Sequence, residues 1–104
     1  MLYHSTRGLD GSRSFSEVLH SGLAEDGGLF VPESIPTLDR ETIDEWKHYS
    51  YEELAIEIIS LFSGDCFSRS ELTDIVYQSY SGFQHEIKSP LRKLEENHFL
   101  LELF

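Results

Sequence analysis

Three times along this chain a serine is followed, three residues later, by a glutamate, and an apolar run comes next. The three sites are Ser14-Phe-Ser-Glu17, Ser50-Tyr-Glu-Glu53 and Ser68-Arg-Ser-Glu71. In such a capping box the serine hydroxyl accepts the backbone N–H of the glutamate, and the glutamate carboxylate accepts that of the serine. Two donors that a helix start leaves orphaned are then satisfied together. Three helix starts are thus marked by purely local chemistry.

After Ser14, residues Phe15, Val18 and Leu19 recur at helical spacing, and Gly22 is placed to end the helix in a left-handed turn, which predicts a helix over 15–21. After Ser50, the residues Leu54, Ala55, Ile58, Ile59, Leu61 and Phe62 form one wide apolar face that Gly64 closes, and Tyr49 is positioned to staple onto Leu54. After Ser68 the face is Leu72, Ile75, Val76 and Tyr80, with Phe67 poised over Leu72 and Gly82 as the stop. Residues 38–46, carrying Leu38, Thr42, Ile43 and Trp46, read as a further short helix started by Thr37 or Asp39. Helices this short are marginal alone in water, so they must pack on one another and on strands.

Strand signals are fewer. Leu2 to Thr6 reads as a strand before the turn-rich GLDGS. Asp26-Gly27-Gly28 is a turn whose two glycines tolerate positive φ, and Leu29-Phe30-Val31 is a brief extended run. Pro32 and Pro36 are expected to keep the chain out of regular pairing. Residues 83–97 read as irregular, broken by Pro90. The last residues, FLLELF, alternate: Phe99, Leu101 and Leu103 on one face, Leu100, Glu102 and Phe104 on the other. Both faces are mostly apolar, and a large apolar side chain left in water forgoes roughly 1.5–3 kcal/mol. The expectation is a strand covered on both sides, in a polypeptide that continues past Phe104. The fold class predicted is α+β, a small domain of several short helices packed with a few short strands.

Charge narrows the partners. Nineteen acidic residues face eight Lys and Arg, a net charge of −11 in 104 residues. Such a surface repels phosphate backbones and anionic lipid heads, so neither nucleic acid nor membrane is expected as a partner. No apolar run approaches the ~18 residues of a spanning helix. The N-terminus lacks the basic and apolar regions of a secretory signal, and the lone Cys66 suits a reducing compartment. A cytoplasmic location is expected.

No residue pattern announces chemistry. The histidines His4, His20, His48, His85 and His98 include no pair at helical ligand spacing. Ser21 lacks the glycine-flanked elbow of a serine nucleophile. Glu52, Glu53 and Glu57 read as first-turn and outer-face acids that cap and complement the helix dipole. Asp26-Gly27-Gly28 could offer backbone amides to an anion, but Glu25 and Asp26 oppose one there. Lys47, Lys88 and Lys93 lack the desolvated setting that a Schiff-base lysine needs. No catalytic, cofactor-binding or metal residue is expected within 1–104.

The blocks STRG at 5–8, SFSEVLHSGLAEDGGLFVPES at 14–34, SYEELAIEIISLF at 50–62 with Gly64-Asp65, and LLELF at 100–104 together resemble the N-terminal domain of threonine synthases. The likeness covers 1–104 as that domain, and GLAEDGGLFVPE is its most specific part. The resemblance implies an enzyme that converts O-phospho-L-homoserine and water to L-threonine and phosphate. It implies pyridoxal 5′-phosphate held by a lysine beyond Phe104, in a His-Gly-Pro-Thr-x-Ala-Phe-Lys-Asp motif, with no cofactor bound by 1–104. It further implies that the partners are the catalytic domains of the same polypeptide, the whole being monomeric and of the branch not activated by S-adenosylmethionine. Taken alone, the stretch is expected to be inactive and could self-associate through 99–104. Two alternatives remain: the same domain in a threonine-synthase-like phospho-lyase, and a free-standing acidic interaction module.

Overall fold

All three capping boxes form. In the computed structural model, which describes residues 1–83 and 89–103, both reciprocal hydrogen bonds are present at Ser14–Glu17, Ser50–Glu53 and Ser68–Glu71. They start helices α1 (Phe15–Ser21), α3 (Tyr51–Ser63) and α4 (Arg69–Tyr80). Helix α2 (Arg40–Trp46) starts at Asp39, whose side chain accepts the Thr42 N–H. Gly22 and Gly64 end α1 and α3 at φ of 71° and 57°, a region closed to most side chains. Gly82 does not play that part for α4: the helix ends at Ser81 in right-handed geometry, its N–H bonded to the Tyr77 carbonyl. A short 3-10 turn, Gly64–Cys66, joins α3 to α4.

Three strands form an antiparallel sheet in the order β2-β1-β3, from β1 (Leu2–Ser5), β2 (Arg13–Ser14) and β3 (Phe30–Pro32). β1 pairs Tyr3 with Pro32, His4 with Val31 and Ser5 with Phe30. Pro32 is therefore inside a ladder, contrary to the sequence expectation. Its lack of an N–H is tolerated because β3 is an edge strand and can direct that position outward. The two-residue β2 carries no strand signal of its own and exists because β1 offers it a partner.

β1 alternates cleanly: Leu2 and His4 are exposed, while Tyr3 and Ser5 are buried. Tyr3 faces the helices, and its hydroxyl donates to the Phe62 carbonyl at 2.8 Å, one of the acceptors that the end of α3 leaves without an intrahelical partner. Burial raises the Tyr3 phenol above its ordinary pKa. Rings continue the contact, from Tyr3 to Phe15 at 6.0 Å and from Phe15 to Phe67 at 6.1 Å. Ile56, Leu72 and Val76 form the core between α3 and α4, with Ala55, Ile59, Phe67 and Tyr80 packed around it. Phe67 thus covers the first turn of α4, as its position before the capping box predicts.

Part of the segment expected to be irregular is a strand. β4 (Leu91–Glu95) pairs antiparallel with β5 (His98–Leu101), with a register shift between Lys93 and Glu95. Pro90 precedes β4 instead of breaking it, and its carbonyl accepts the Glu102 N–H. β5 is also shorter than the alternating pattern suggests. His85 and Lys88, and the terminal Phe104, lie outside the described residues.

Candidate functional site

The most distinctive block of the sequence folds into a corner where residues 5–10 meet 24–28. Gly27, at φ 77°, turns the chain. Gly28 is needed for room, not for φ: a Cβ there would lie 2.2 Å from the Ser5 hydroxyl. Asp26 ties the corner together. Its Oδ1 accepts the Ser5 hydroxyl at 2.7 Å and the Gly28 N–H at 2.9 Å, and its Oδ2 accepts the Leu9 N–H at 3.0 Å. Thr6 is held from both sides, its N–H donating to the Leu29 carbonyl and its hydroxyl accepting the Leu29 N–H. The Arg7 guanidinium donates to the Asp26 carbonyl at 3.1 Å.

A second carboxylate closes the other end. The Asp10 side chain is 5% exposed, accepts Arg13 at 2.6 Å and accepts the Glu25 N–H at 3.2 Å. Both acids are held below the usual carboxylate range, Asp26 chiefly by the Ser5 hydroxyl and Asp10 chiefly by Arg13. Ionised acceptors with their lone pairs engaged neither attract an anion nor exchange a proton at neutral pH. The corner is a clasp that holds the β1–β2 loop against the turn before β3.

Among the described residues, the others weighed in the sequence do not converge. His4 lies 3.3 Å from the Ser12 hydroxyl, His20 is in the last turn of α1, His48 follows α2, and His98 is on β5, 3.5 Å from Glu95. Ser21 ends α1 and is exposed. Cys66 is a half-buried free thiol in the 3-10 turn. Among the described residues no group of three or more His, Cys, Asp or Glu side chains could hold a metal ion.

Of the outer-face acids, Glu53 caps its helix as expected, whereas Glu57 reaches across to α4 and forms a forked pair with Arg69. That pairing holds the Glu57 carboxyl below its ordinary pKa. The described residues do not fit pyridoxal phosphate either. Lys47 is spent on Asp44 at 3.1 Å in an exposed pair, and Lys93 is exposed on β4, so neither amine is desolvated.

What stands out is apolar surface. Every residue of β4 and β5 is exposed. Leu91 and Leu94 keep 62% and 64% of their accessible surface, Phe99 and Leu101 keep 56% and 53%, and Leu103 keeps 79%. Contiguous exposed apolar area of this kind marks a surface that something else covers. The cover expected for the last strand is absent among the described residues, which makes the hairpin the candidate docking site.

A family model described as the threonine synthase N terminus matches residues 2–80. A threonine synthase of Pseudomonas aeruginosa is 39% identical over 104 residues, covering 100% of this chain and 22% of its own length. A mouse protein named threonine synthase-like 2 is 40% identical over 105 residues, with the same coverage on each side. Among solved structures, the PLP-bound threonine synthase of Brucella melitensis superposes with a TM-score of 0.88 at 36% identity, over 100% of this chain and 22% of that one. The chain therefore spans about a fifth of the length of the relatives it matches.

Proposed function

This chain belongs to the threonine synthase N-terminal family, and from that premise we propose that it is the leading, non-catalytic part of a pyridoxal-phosphate-dependent threonine synthase. The proposed reaction converts O-phospho-L-homoserine and water to L-threonine and phosphate. The observation that carries this reading is the family match over 2–80 together with a likeness to whole enzymes that runs the length of the chain. The carboxylate clasp and the scattered placement of the described histidines and lysines support a non-catalytic role. When bound, pyridoxal phosphate would supply electron withdrawal from the substrate's α-carbon, and the residues that hold it are assigned beyond Phe104. The residues within 1–104 would shape and support the enzyme from outside its chemistry. The proposed partner is the catalytic body of the same polypeptide, in a monomeric cytoplasmic enzyme; no described helix is long and apolar enough to cross a membrane.

The test is an assay of the full-length polypeptide on O-phospho-L-homoserine. Threonine and phosphate should form in equal amounts. A second reading has its own support in the 40% identity to the threonine synthase-like protein, which lies beside the 39% of the Pseudomonas aeruginosa threonine synthase. Phosphate released without threonine would favour that reading, a phospho-lyase, and would exclude the first.

A further inference from the structure

We infer that the groove between α2 and α3 is a docking site for a cationic amphipathic helix of another protein, whose apolar side chains enter the groove and whose Lys and Arg side chains lie over the carboxylates of the two helices. The inference holds whichever reaction the full-length protein carries out.

The first observation is the groove. Leu38, Ile43, Trp46 and Lys47, from α2 and its flanks, face Leu54 and Ile58 of α3 around a volume of about 280 Å³. Ile43 and Ile58 keep 53% and 40% of their accessible surface, so α2 lies along α3 without sealing this row. A second groove of about 240 Å³, reaching Tyr51 and Tyr80, shares Leu54 and Ile58 with the first. The two make one apolar trench across α3. A trench of this form suits a helix that presents apolar anchors at i, i+3 or i+4, and i+7.

The second observation is charge. Residues 39–57 hold seven acids against Arg40 and Lys47, a net of −5 in a chain of −11, so a fifth of the sequence carries nearly half of the net charge. Bases cancel two of these acids, Lys47 pairing with Asp44 and Arg69 with Glu57. Other partners are neutral donors, which hold a carboxylate ionised without cancelling its charge. Asp39 accepts the Thr42 N–H, Glu45 the Tyr49 hydroxyl and Glu53 the Ser50 N–H. Glu41 is exposed on α2. Apolar surface flanked by uncancelled negative charge selects a partner that is apolar and positive together. A second copy is the poorer occupant, because each chain carries −11.

The experiment uses the full-length protein and a labelled synthetic peptide of about 18 residues, with Leu and Lys at helical spacing. A control peptide carries Glu in place of every Lys. Anisotropy should show saturable binding of the Lys peptide that weakens as salt is raised, and binding of the Glu peptide weaker by about tenfold or more. Ile43→Lys puts a cation at the groove and should weaken the Lys peptide about tenfold. Glu41→Gln combined with Glu45→Gln leaves the apolar walls intact, and should weaken binding and flatten its salt dependence. This paired variant keeps the test valid should Ile43→Lys disturb α2. Leu101→Lys, on the hairpin, should leave the affinity unchanged. Absence of binding overturns the inference, and is the result expected if later segments or a second copy fill the groove. Equal binding of the two peptides, indifference to both groove variants, or loss on Leu101→Lys would each overturn it as well.

Discussion

Asp26 shows how one side chain can organise a corner of a fold. It accepts from Ser5 and Leu9 and from Gly28 of its own turn, so it joins two backbone segments, 5–9 and 26–28, that are distant in sequence. Its pKa is depressed, as are those of Asp10, Glu17, Asp39, Glu53, Glu57 and Glu71. A depressed folded-state pKa contributes stability that is fully present above the unfolded carboxylate range. That stability is lost as pH falls through the lower folded value. The urea midpoint should therefore be flat near neutrality and fall below about pH 5. In Asp26→Asn the fall should be shallower, because one linked group is gone; an unchanged slope would show that Asp26 is not among the groups that set it. Gly28→Ala should lower stability by about 1–3 kcal/mol, since its methyl group meets the Ser5 hydroxyl inside a tied corner. Tyr3→Phe tests the tie between sheet and helix and should cost about 0.5–1.5 kcal/mol in denaturant titration.

At the level of elements, legibility followed locality. The capping boxes, the Asp39 cap and the Gly22 and Gly64 stops all depend on residues within four positions, and the sequence pattern marks each of them, Asp39 as one of two candidates with Thr37. Two strands were not legible for the same reason reversed. β2 is two residues long and is held by β1, and β4 is a Leu-Arg-Lys-Leu-Glu run whose alternation is interrupted by the register shift. Neither has a period that marks it in isolation. The Glu57–Arg69 pair spans two helices, and helix periodicity could only assign Glu57 to an outer face. The Asp26 turn was legible as a turn, but not as a clasp, because its partners come from β1 and the loop after it. The local and tertiary contributions can be separated by mutation. Ser68→Ala removes a cap and should cost about 0.5–2 kcal/mol. Leu72→Ala, in the buried contact between α3 and α4, should cost about 2–5 kcal/mol. If the cap variant proved the more damaging of the two in urea unfolding, tertiary packing would not be the main support of α4.

For the whole molecule, two opposed surface properties govern how an isolated 104-residue chain behaves. The hairpin offers exposed leucines, a phenylalanine and open strand edges, which favour pairing between copies. The net charge of −11 opposes any approach of one copy to another. These forces differ in their response to salt. Repulsion between exposed charges is screened, the Debye length falling from about 30 Å at 0.01 M to about 10 Å at 0.1 M, whereas apolar burial is little affected over that range. Sedimentation of the isolated chain should therefore give monomer at low ionic strength, with association rising as salt is added. Leu101→Lys, which adds a charge to the apolar face beside Phe99, should suppress that rise. Association that weakened with salt would mean that ion pairs hold the copies together. The proposed cover by later parts of one polypeptide predicts that this salt-dependent association disappears in the full-length protein. Its persistence there would show that the hairpin remains open in the longer molecule.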